Sequence, residues 1–344
     1  MIRPLTLVLS IVCCAMLGPG ASAHTPPTDV TYTRDIAPIL QSRCAGCHRD
    51  GGFRPMPLEN FQEARHWAKA MREDVLERRM PPWPAAAGFA EYENDRSLSP
   101  IEIELLTAWA DGGTPLGTPV GASPLNRTPS TEPLRFEVPA GHPAKGYVER
   151  VIVQPHAARD RWIRRWEFTP AAPGLIQQAI LSVADRRLGS WVAAESAVSF
   201  PSGSAFRLPA GAPVTIELHY TKSDVAEIPG GTLALFPGPA GDEVQNLTLG
   251  CSTTTLPYAM TALAITPVAR GAGESVEIVA RERNGRVTPL CVVLRYAPAY
   301  PATYRFRTPM ALARGTRLDV RSSAPGCGAS LEFSARTPGR AAAR

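Results

Sequence analysis

The stretch Val214-Thr215-Ile216-Glu217-Leu218-His219-Tyr220 alternates apolar and polar side chains at every position. A period of two residues puts the apolar set on one face of a β-strand, so this stretch predicts a half-buried strand. Similar short runs recur from about residue 144 onward, separated by turn signals such as Pro209-Ala210-Gly211 and Asn284-Gly285. Strands joined in this way form antiparallel sheets, which predicts an all-β module of one or two antiparallel β-sandwiches.

Seven runs in this module are rich in residues that favour strands and are bounded by Pro or Gly. They predict strands at 147–153, 175–183, 213–220, 232–236, 275–280, 290–296 and 318–322.

Residues 30–118 have a different pattern, which predicts helices. Asn60 and Glu63 resemble a capping box, and an apolar stripe at three- and four-residue spacing follows it at Phe61, Ala64, Ala68, Met71 and Val75. Pro81-Pro82 is expected to stop this helix. Together with the β-rich remainder, this predicts a multidomain α + β chain in which a small all-α domain precedes the all-β module.

A second helix is predicted to start at Ser99-Pro100, because a cap residue, a proline and a carboxylate at Glu102 follow in the favoured order. Its inner face is expected to hold Ile101, Leu105 and Trp109, and Gly112-Gly113 is expected to end it.

The motif Cys44-Ala45-Gly46-Cys47-His48 carries the clearest chemistry in the chain. Two thiols three residues apart with a histidine directly after the second are the signature of c-type haem attachment. Half of a zinc site is the alternative, but no second cysteine pair lies nearby. The predicted cofactor is therefore one haem c bound covalently through Cys44 and Cys47, with His48 as the proximal iron ligand.

Four residues are candidates for the sixth iron ligand: Met56, His66, Met71 and Met80. Met71 belongs to the apolar helix stripe, and His66 lies beside it in a position favouring solvent. Met56 lies among prolines and is either a loop residue or a ligand. Met80 is predicted as the distal ligand, because it falls where the helix must break and prolines fix the path of the chain after it. Met/His ligation favours electron transfer over oxygen chemistry.

The N-terminus predicts export. Met1-Ile2-Arg3, an apolar run to Leu17 and Ala21-Ser22-Ala23 form a secretory signal peptide at residues 1–23, cut after Ala23. A membrane anchor is the alternative, but the apolar run is short for a bilayer. No later segment has the pattern of a transmembrane helix, so a periplasmic or secreted bacterial protein without a membrane span is expected.

Cysteine usage fits an oxidising compartment. After signal cleavage five cysteines remain, and haem takes two of them. Cys251, Cys291 and Cys327 allow one disulfide and one odd thiol, with the pairing left open.

Charge is unevenly spread along the chain. Residues 24–118 carry 10 Lys and Arg against 14 Asp and Glu, whereas residues 119–344 carry 25 against 17. The basic charges are scattered in an exported chain, so nucleic acid is not an expected partner. The expected partner is a redox protein that meets the acidic haem domain by electrostatic steering, or the chain's own basic module packs against that domain.

The helical part resembles the cytochrome c-like domain at the N-terminus of certain large exported bacterial proteins. The resemblance covers essentially all of residues 30–118. It is carried by Arg34 to Leu40, Cys44 to His48, Gly51-Gly52, Met80-Pro81-Pro82-Trp83 and Leu105 to Gly113. In that family the methionine of the Met-Pro-Pro-Trp motif is the expected distal ligand, which implies Met80 here.

The β-rich part resembles the copper type II, ascorbate-dependent monooxygenase module that often follows in that family, and which is similar to peptidylglycine α-hydroxylating and dopamine β-monooxygenases. The residues carrying this weaker resemblance are Leu208 to Gly211, Leu218 to Tyr220, Arg270-Gly271, Pro309 and Arg314 to Thr316. It implies two linked β-sandwiches that each bind one copper. The chain then divides into a haem domain at 24–118, a linker at 119–143 and sandwiches at 144–240 and 241–335.

Most of the copper ligands that this resemblance implies are replaced. The first copper needs a His-His pair within Leu175 to Ile180, where Gln177 and Gln178 stand, and a third histidine that His219 matches. The second needs His-x-His before Arg270-Gly271, where Thr266 and Val268 stand. It also needs a later methionine ligand, which has no convincing match because Met310 is expected to be a packing residue at a strand edge. His142 and His156 compensate only if the site rearranges. Copper sites of this type need imidazole nitrogens, so no bound copper and no monooxygenase activity are expected.

Three functions follow from these patterns. The first is an exported mono-haem cytochrome that carries out electron transfer, with a β module that serves docking or scaffolding. This function predicts no catalytic residues. The second is a haem-based redox or gas sensor or binding protein. The third is a copper monooxygenase with atypical ligands.

Overall fold

The computed structural model describes residues 29–50, 56–118, 132–141, 148–154, 157–184, 186–193, 195, 197–220, 227–298 and 302–335. The predicted signal peptide, His142, His156 and most of the predicted linker lie outside these ranges. No helix in the described part of the chain is long and apolar enough to cross a membrane.

Three long helical segments precede the first strand in the described residues. The segment 32–44, named α1, combines two π-helical turns, Tyr32–Ile36 and Leu40–Cys44, with an α-helical turn, Ala37–Ile39. Helix α2 is Phe61–Leu76 and helix α3 is Pro100–Asp111. A short 3-10 turn, Pro173–Leu175, lies within the β-rich part.

The predicted helix starts are confirmed. Asn60 with Glu63 and Ser99 with Glu102 both form complete capping boxes, because each carboxylate accepts from the cap N–H and each cap side chain accepts in return. The predicted inner face of α3 is partly wrong: Leu106 and Trp109 are fully buried, whereas Ile101 is 68% exposed. Helix α2 ends at Leu76, before the prolines are reached.

The described residues contain 17 strands. In chain order they are β1 Leu134–Val138, β2 Val148–Val153, β3 Arg161–Pro170, β4 Ile176–Val183, β5 Arg186–Val192, β6 Val198–Ser199, β7 Ser204–Leu208, β8 Val214–Tyr220, β9 Gly231–Pro237, β10 Asp242–Gly250, β11 Thr253–Thr255, β12 Met260–Val268, β13 Val276–Arg281, β14 Val287–Val293, β15 Tyr304–Leu312, β16 Arg317–Ser322 and β17 Gly328–Ala335. Each of the seven predicted runs contains one of these strands or most of one. Several strands were not predicted, and they include β3, β12 and β17.

The strands form one large sheet and two small sheets. The large sheet runs β1-β9-β3-β7-β10-β17-β12-β15, with β6 paired to β3, and the small sheets run β2-β8-β4-β5 and β11-β16-β13-β14. Nearly all pairings are antiparallel. The exception is a short parallel pairing of β7 with β10, which joins the two halves of the large sheet.

Each small sheet covers one half of the large sheet, which gives a β-sandwich-like arrangement with two cores. The first sandwich buries Trp166, Trp191 and Phe206 with the inner face of β8. The second sandwich buries Leu290, Tyr304 and Leu331 among others. The alternation at Val214–Tyr220 is therefore confirmed, because its four apolar side chains are buried and its three polar ones are not.

The predicted multidomain α + β fold class, with a small all-α cytochrome c domain, is wrong. The chain is mostly β, with 44% strand against 16% helix, and no small all-α domain is evident. The physical reason is visible between α2 and α3, in residues 83–94, which we name the bridging segment. Ala85 bridges to Val293 and Tyr92 to Phe306, so this segment pairs with the second sandwich. Helices α2 and α3 form where the capping signals predict them. Those signals do not show which element the bridging segment between the helices packs against.

The helices themselves share a third apolar cluster. Ile36, Leu40, Met71, Leu106 and Trp109 are buried within it, and Cys44 packs against it from the end of α1. This places the Cys44–His48 motif at the end of a helix whose other face is fully packed.

Candidate functional site

The Cys44–His48 motif forms a helical turn at the end of α1. The Cys47 N–H lies 3.1 Å and the His48 N–H 2.9 Å from the Cys44 carbonyl oxygen. These bonds continue the winding of α1 through the motif, since the Ala45 N–H also donates back to Leu40. The two thiols and the imidazole are therefore presented from one turn, as covalent attachment to a single haem edge requires.

The orientation of His48 is set by a loop carbonyl. Its Nδ1 lies 3.1 Å from the backbone oxygen of Met56, and the Leu58 N–H donates to the His48 carbonyl at 2.9 Å. In a neutral imidazole this contact requires the proton on Nδ1, because a carbonyl oxygen only accepts. This is the tautomer that an imidazole needs to bind a metal through Nε2 while its other nitrogen is oriented by a backbone acceptor.

The surroundings of Cys44 suit an apolar prosthetic group. Burial, with a smaller contribution from the neighbouring Cys47, raises the pKa of the Cys44 thiol to about 12. At neutral pH this sulfur is therefore a thiol in an apolar environment rather than an exposed thiolate. The residues present thus fit a haem c: two thiols, an oriented imidazole and an apolar helix cluster against which the ring can pack.

Arg43 ties the motif to α3. Its Nε lies 3.1 Å from Glu102 Oε1, and its Nη1 donates to the Asp95 carbonyl at 2.8 Å. Burial alone raises the pKa of Glu102, but hydrogen bonds from Ser99 and Arg43 lower it below its usual value. The carboxylate is therefore ionised at neutral pH. It accepts hydrogen bonds both from the helix cap at Ser99 and from Arg43, which directly precedes the haem motif.

Three of the four distal candidates have a clear structural position. Met71 is 5% exposed within the helix cluster, which confirms it as a packing residue. His66 is on the exposed side of α2, with its ring 4.8 Å from that of Trp67. Met56 binds Nδ1 of His48 through its carbonyl, so its backbone lies on the proximal side of the imidazole. That position disfavours Met56 as the ligand on the opposite face of a haem.

Met80 lies at the junction between the helices and the β module. Its N–H is 3.3 Å from the Asp74 carbonyl, at the end of α2, and the residue is half-buried. The chain then passes through Pro81 and Pro82 into the bridging segment. Of the four candidates, Met80 alone is followed directly by residues that pack on the second sandwich.

In the ranges the structure describes, no group of three or more His, Cys, Asp or Glu side chains is placed to bind a metal ion. A c-type haem does not require such a group, because the porphyrin supplies four of the iron ligands and the two cysteines bind the ring.

The positions that the resemblance assigns to copper hold other side chains. Gln178 stands directly opposite His219 across β4 and β8, and His219 Nε2 is 2.9 Å from Glu217 Oε1. Thr266 is buried and shares a 2.8 Å hydrogen bond with the Thr303 hydroxyl. Val268 is 45% exposed at the end of β12. Amide, hydroxyl and isopropyl groups are poor copper donors, so these positions do not reproduce the copper chemistry of the resembled module.

A set of buried or half-buried polar and charged residues, which we name the inter-sandwich polar layer, joins the two sandwiches. It consists of Arg187, Ser190, Glu195, Arg305 and Glu332. Arg305 Nη2 donates to the Ser190 carbonyl at 3.1 Å and pairs with Glu195 at the same distance. Since Ser190 is on β5 and Arg305 on β15, these contacts cross from the first sandwich to the second.

Burial acts differently on the charges of this layer. Burial lowers the pKa of Arg187, whereas Glu195 and Glu332 more than offset burial at Arg305 and raise its pKa. Burial raises the pKa of Glu332 despite the nearby Arg305 and Arg187. Its Oε1 is buried without a hydrogen-bond partner, so this carboxylate is costly to ionise.

A polar pocket of about 350 Å³ opens beside the layer. It is lined by residues from α1, from positions 93–96 and from both sandwiches: Ser42, Glu93, Asn94, Asp95, Arg96, Glu195, Ala197, Ser199 and Arg305. Nη1 of Arg96 is buried there without a hydrogen-bond partner.

Sequence reasoning missed this layer. Glu332 lies in Ser330-Leu331-Glu332-Phe333, where strict alternation indicates a solvent-facing glutamate. The outer face of β17 is instead covered, and Ser330, Glu332 and Ser334 are all at most 6% exposed. No local signal shows that β5 of the first sandwich packs on that face.

Comparison with known proteins leaves the family open. No family model and no curated protein matches the chain. Similar solved structures include the STIV MCP, at 10% identity over 58% of this chain and 97% of that one, with a TM-score of 0.28. A turret protein of Sulfolobus turreted icosahedral virus matches at 11% identity over 59% and 98%, with a TM-score of 0.18. Oxalate decarboxylase from Bacillus subtilis matches at 10% identity over 60% and 77%, with a TM-score of 0.17. Scores this low carry no argument about fold or function.

Proposed function

We propose that this chain is an exported electron-transfer protein with one covalent haem c. Cys44 and Cys47 attach the haem, His48 is the proximal ligand and Met80 the distal ligand. The observation that carries the proposal is the turn at the end of α1, in which both thiols and an Nδ1-anchored imidazole are presented together.

A bound haem c supplies a reversible one-electron couple at its iron. The chain's own residues decide what that couple does. The Met56 carbonyl would hold Nδ1 of His48, and Nε2 would be the nitrogen that binds the iron. The thioether of Met80 would be the second protein ligand to the iron, which would raise the reduction potential relative to two histidines and disfavour oxygen chemistry.

The partner implied by this chemistry is another redox protein. Residues 24–118 carry a net negative charge and residues 119–344 a net positive one. A basic partner docking on the helical end is steered by that asymmetry, and its reduction rate should fall as salt is raised. A rate independent of ionic strength would exclude steering.

A second candidate is a haem-based sensor or binding protein. It is favoured by the polar pocket, where Ser42 of α1 meets Arg96 and Arg305. Carbon monoxide discriminates between the two: a reduced haem that binds it readily has an open position and supports sensing, whereas an unreactive haem supports electron transfer.

The attachment test uses the full chain, exported in a bacterium that matures c-type cytochromes. The proposal expects one covalent haem per chain by alkaline pyridine haemochrome and denatured mass. The double variant Cys44→Ser and Cys47→Ser should carry none. Cys291→Ala is the matched control, because that thiol is buried in the second sandwich, and it should keep its haem. Absence of covalent haem in the unmodified chain overturns the proposal.

Metal analysis of the same holo-protein tests the copper interpretation. The proposal expects one iron per chain and no copper that survives removal of excess metal. Stoichiometric, tightly held copper would instead restore the monooxygenase hypothesis.

A further inference from the structure

We infer that the second sandwich positions the sixth ligand of the haem, and that Trp83 is the positioning residue for Met80. This inference rests on the proposed function and adds a role for the β module: it sets the coordination of the iron. The structure carries it in three steps.

The first step is the stiffness of the connection. Only Pro81 and Pro82 separate Met80 from Trp83. A proline ring fixes φ near one value, so two in succession leave little freedom for the chain to absorb a displacement. The position of Met80 in the fold therefore depends on the position of Trp83.

The second step is the packing of Trp83. Its ring lies edge-on to Tyr304, with centroids 4.9 Å apart, and 6.1 Å from the ring of Tyr92. The Arg96 guanidinium lies 5.8 Å from its centroid on the same indole. Tyr304 and Tyr92 are core residues of the second sandwich, 1% and 3% exposed. Edge-on aromatic pairs of this kind fix ring geometry as well as bury area.

The third step is the backbone that follows Trp83. Near its start, the bridging segment bonds to β14: the Ala86 N–H donates to the Val292 carbonyl at 2.8 Å. Near its end it bonds to β15: the Glu93 N–H donates to the Arg305 carbonyl at 2.8 Å. The segment is thus attached to an outer strand of each sheet of the sandwich, and the first of these anchors lies three residues after Trp83.

The helical side of Met80 is anchored less firmly. Leu76, Glu77, Arg78 and Arg79 are all exposed. The Asp74 carbonyl accepts from the Arg79 N–H at 2.9 Å, and the Met80 N–H makes a longer bond of 3.3 Å to the same oxygen. Weakening the sandwich anchor should therefore release the thioether while leaving the Cys44 and Cys47 attachments intact.

The experiment compares holo-protein variants by three measurements: covalent haem per chain, the methionine-to-iron charge-transfer band of the oxidised protein, and carbon monoxide binding to the reduced protein. Trp83→Ala should keep one covalent haem, lose the band and bind carbon monoxide. Trp83→Phe retains an aromatic ring against Tyr304 and should restore the band. Met80→Ala defines complete loss.

Two further variants separate positioning from general damage. Trp191→Ala removes a buried tryptophan from the first sandwich, 2% exposed, and should leave the band unchanged. Ala86→Pro deletes the N–H that bonds to Val292 without emptying the core, and should weaken the band. Should Trp83→Ala fail to fold, Ala86→Pro and Trp83→Phe still test the inference.

The outcomes are distinguishable. If Met80→Ala loses the band while Trp83→Ala and Ala86→Pro retain it, the inference is overturned and the proposed function stands. Equal loss of the band in Trp191→Ala also overturns the inference, because any core defect would then suffice. If the unmodified chain carries no covalent haem, or Met80→Ala retains the band, the inference falls together with the haem ligation proposed above.

Discussion

Arg305 and Glu195 form an ion pair of 3.1 Å in which each side chain is only 10% exposed. The pair crosses the seam between the sandwiches, because Arg305 is on β15 and Glu195 follows β5. Asn94 of the bridging segment donates to Glu195 at 3.0 Å and accepts from the Arg305 N–H at the same distance. These contacts thus join the first sandwich, the second sandwich and the bridging segment.

Replacing the guanidinium should destabilise this seam. Arg305→Met keeps an unbranched chain of similar length but leaves Glu195 buried without its ion-pair partner, so the free energy of unfolding should fall by about 3 kcal/mol. Urea unfolding followed by tryptophan fluorescence measures it. Arg307→Ala on the same strand is the control: its pair with Glu91 is exposed, and about 0.5 kcal/mol or less is expected. Equal effects of the two variants would contradict the assignment.

Glu332 should make stability depend on pH. Burial raises its pKa in the folded state, so its contribution is most favourable below the usual glutamate pKa and is lost as pH rises through the folded pKa. Glu332→Gln cannot ionise and should gain stability relative to the native chain as pH increases across that interval. The difference between the two unfolding free energies, measured from pH 4 to 8, isolates this group. A pH-independent difference would refute the prediction.

The disulfide between Cys251 and Cys327 should contribute strongly. It links residues 76 apart in sequence, next to the paired ends of β10 and β17. Closing a loop of that length stabilises the folded state by about 4 kcal/mol through the entropy of the unfolded chain. The double variant Cys251→Ser and Cys327→Ser should lose about that amount, whereas Cys291→Ala should lose about 1 kcal/mol. Comparable losses in both, by urea unfolding, would count against the linkage.

Met56 provides a test of the distal ligand that leaves the proximal side intact. Its φ of 71° is in the left-handed region, which costs a residue with a side chain roughly 1 kcal/mol. Met56→Gly retains the carbonyl that accepts from His48 and should be equally or more stable, with an unchanged haem spectrum. Loss of the methionine charge-transfer band in this variant would transfer the distal role from Met80 to Met56.

The sequence predicted those features that depend on residues close together in the chain. The capping boxes at Asn60 and Ser99, the alternation of Val214–Tyr220 and the apolar stripe containing Met71 all rest on spacing within a few residues. The Cys44–His48 motif belongs to the same class, since its thiols and imidazole lie on one turn. Among Cys251, Cys291 and Cys327 the sequence allowed one disulfide but did not identify it, because pairing depends on distance in space.

The amino-acid sequence by itself determined the motif that can receive a haem and the strands that can form sandwiches. Only the tertiary structure decided the arrangement around them. In the fold, the outer face of β17 is covered, so Glu332 is buried. Tyr92, which the sequence placed in a helical domain, lies instead in the core of the second sandwich. Both depend on contacts between residues more than a hundred positions apart, such as the hydrogen bond from the Tyr92 hydroxyl to Leu290. Hydrophobic burial is non-directional, so periodicity shows which face must be covered and leaves the covering element to the whole fold.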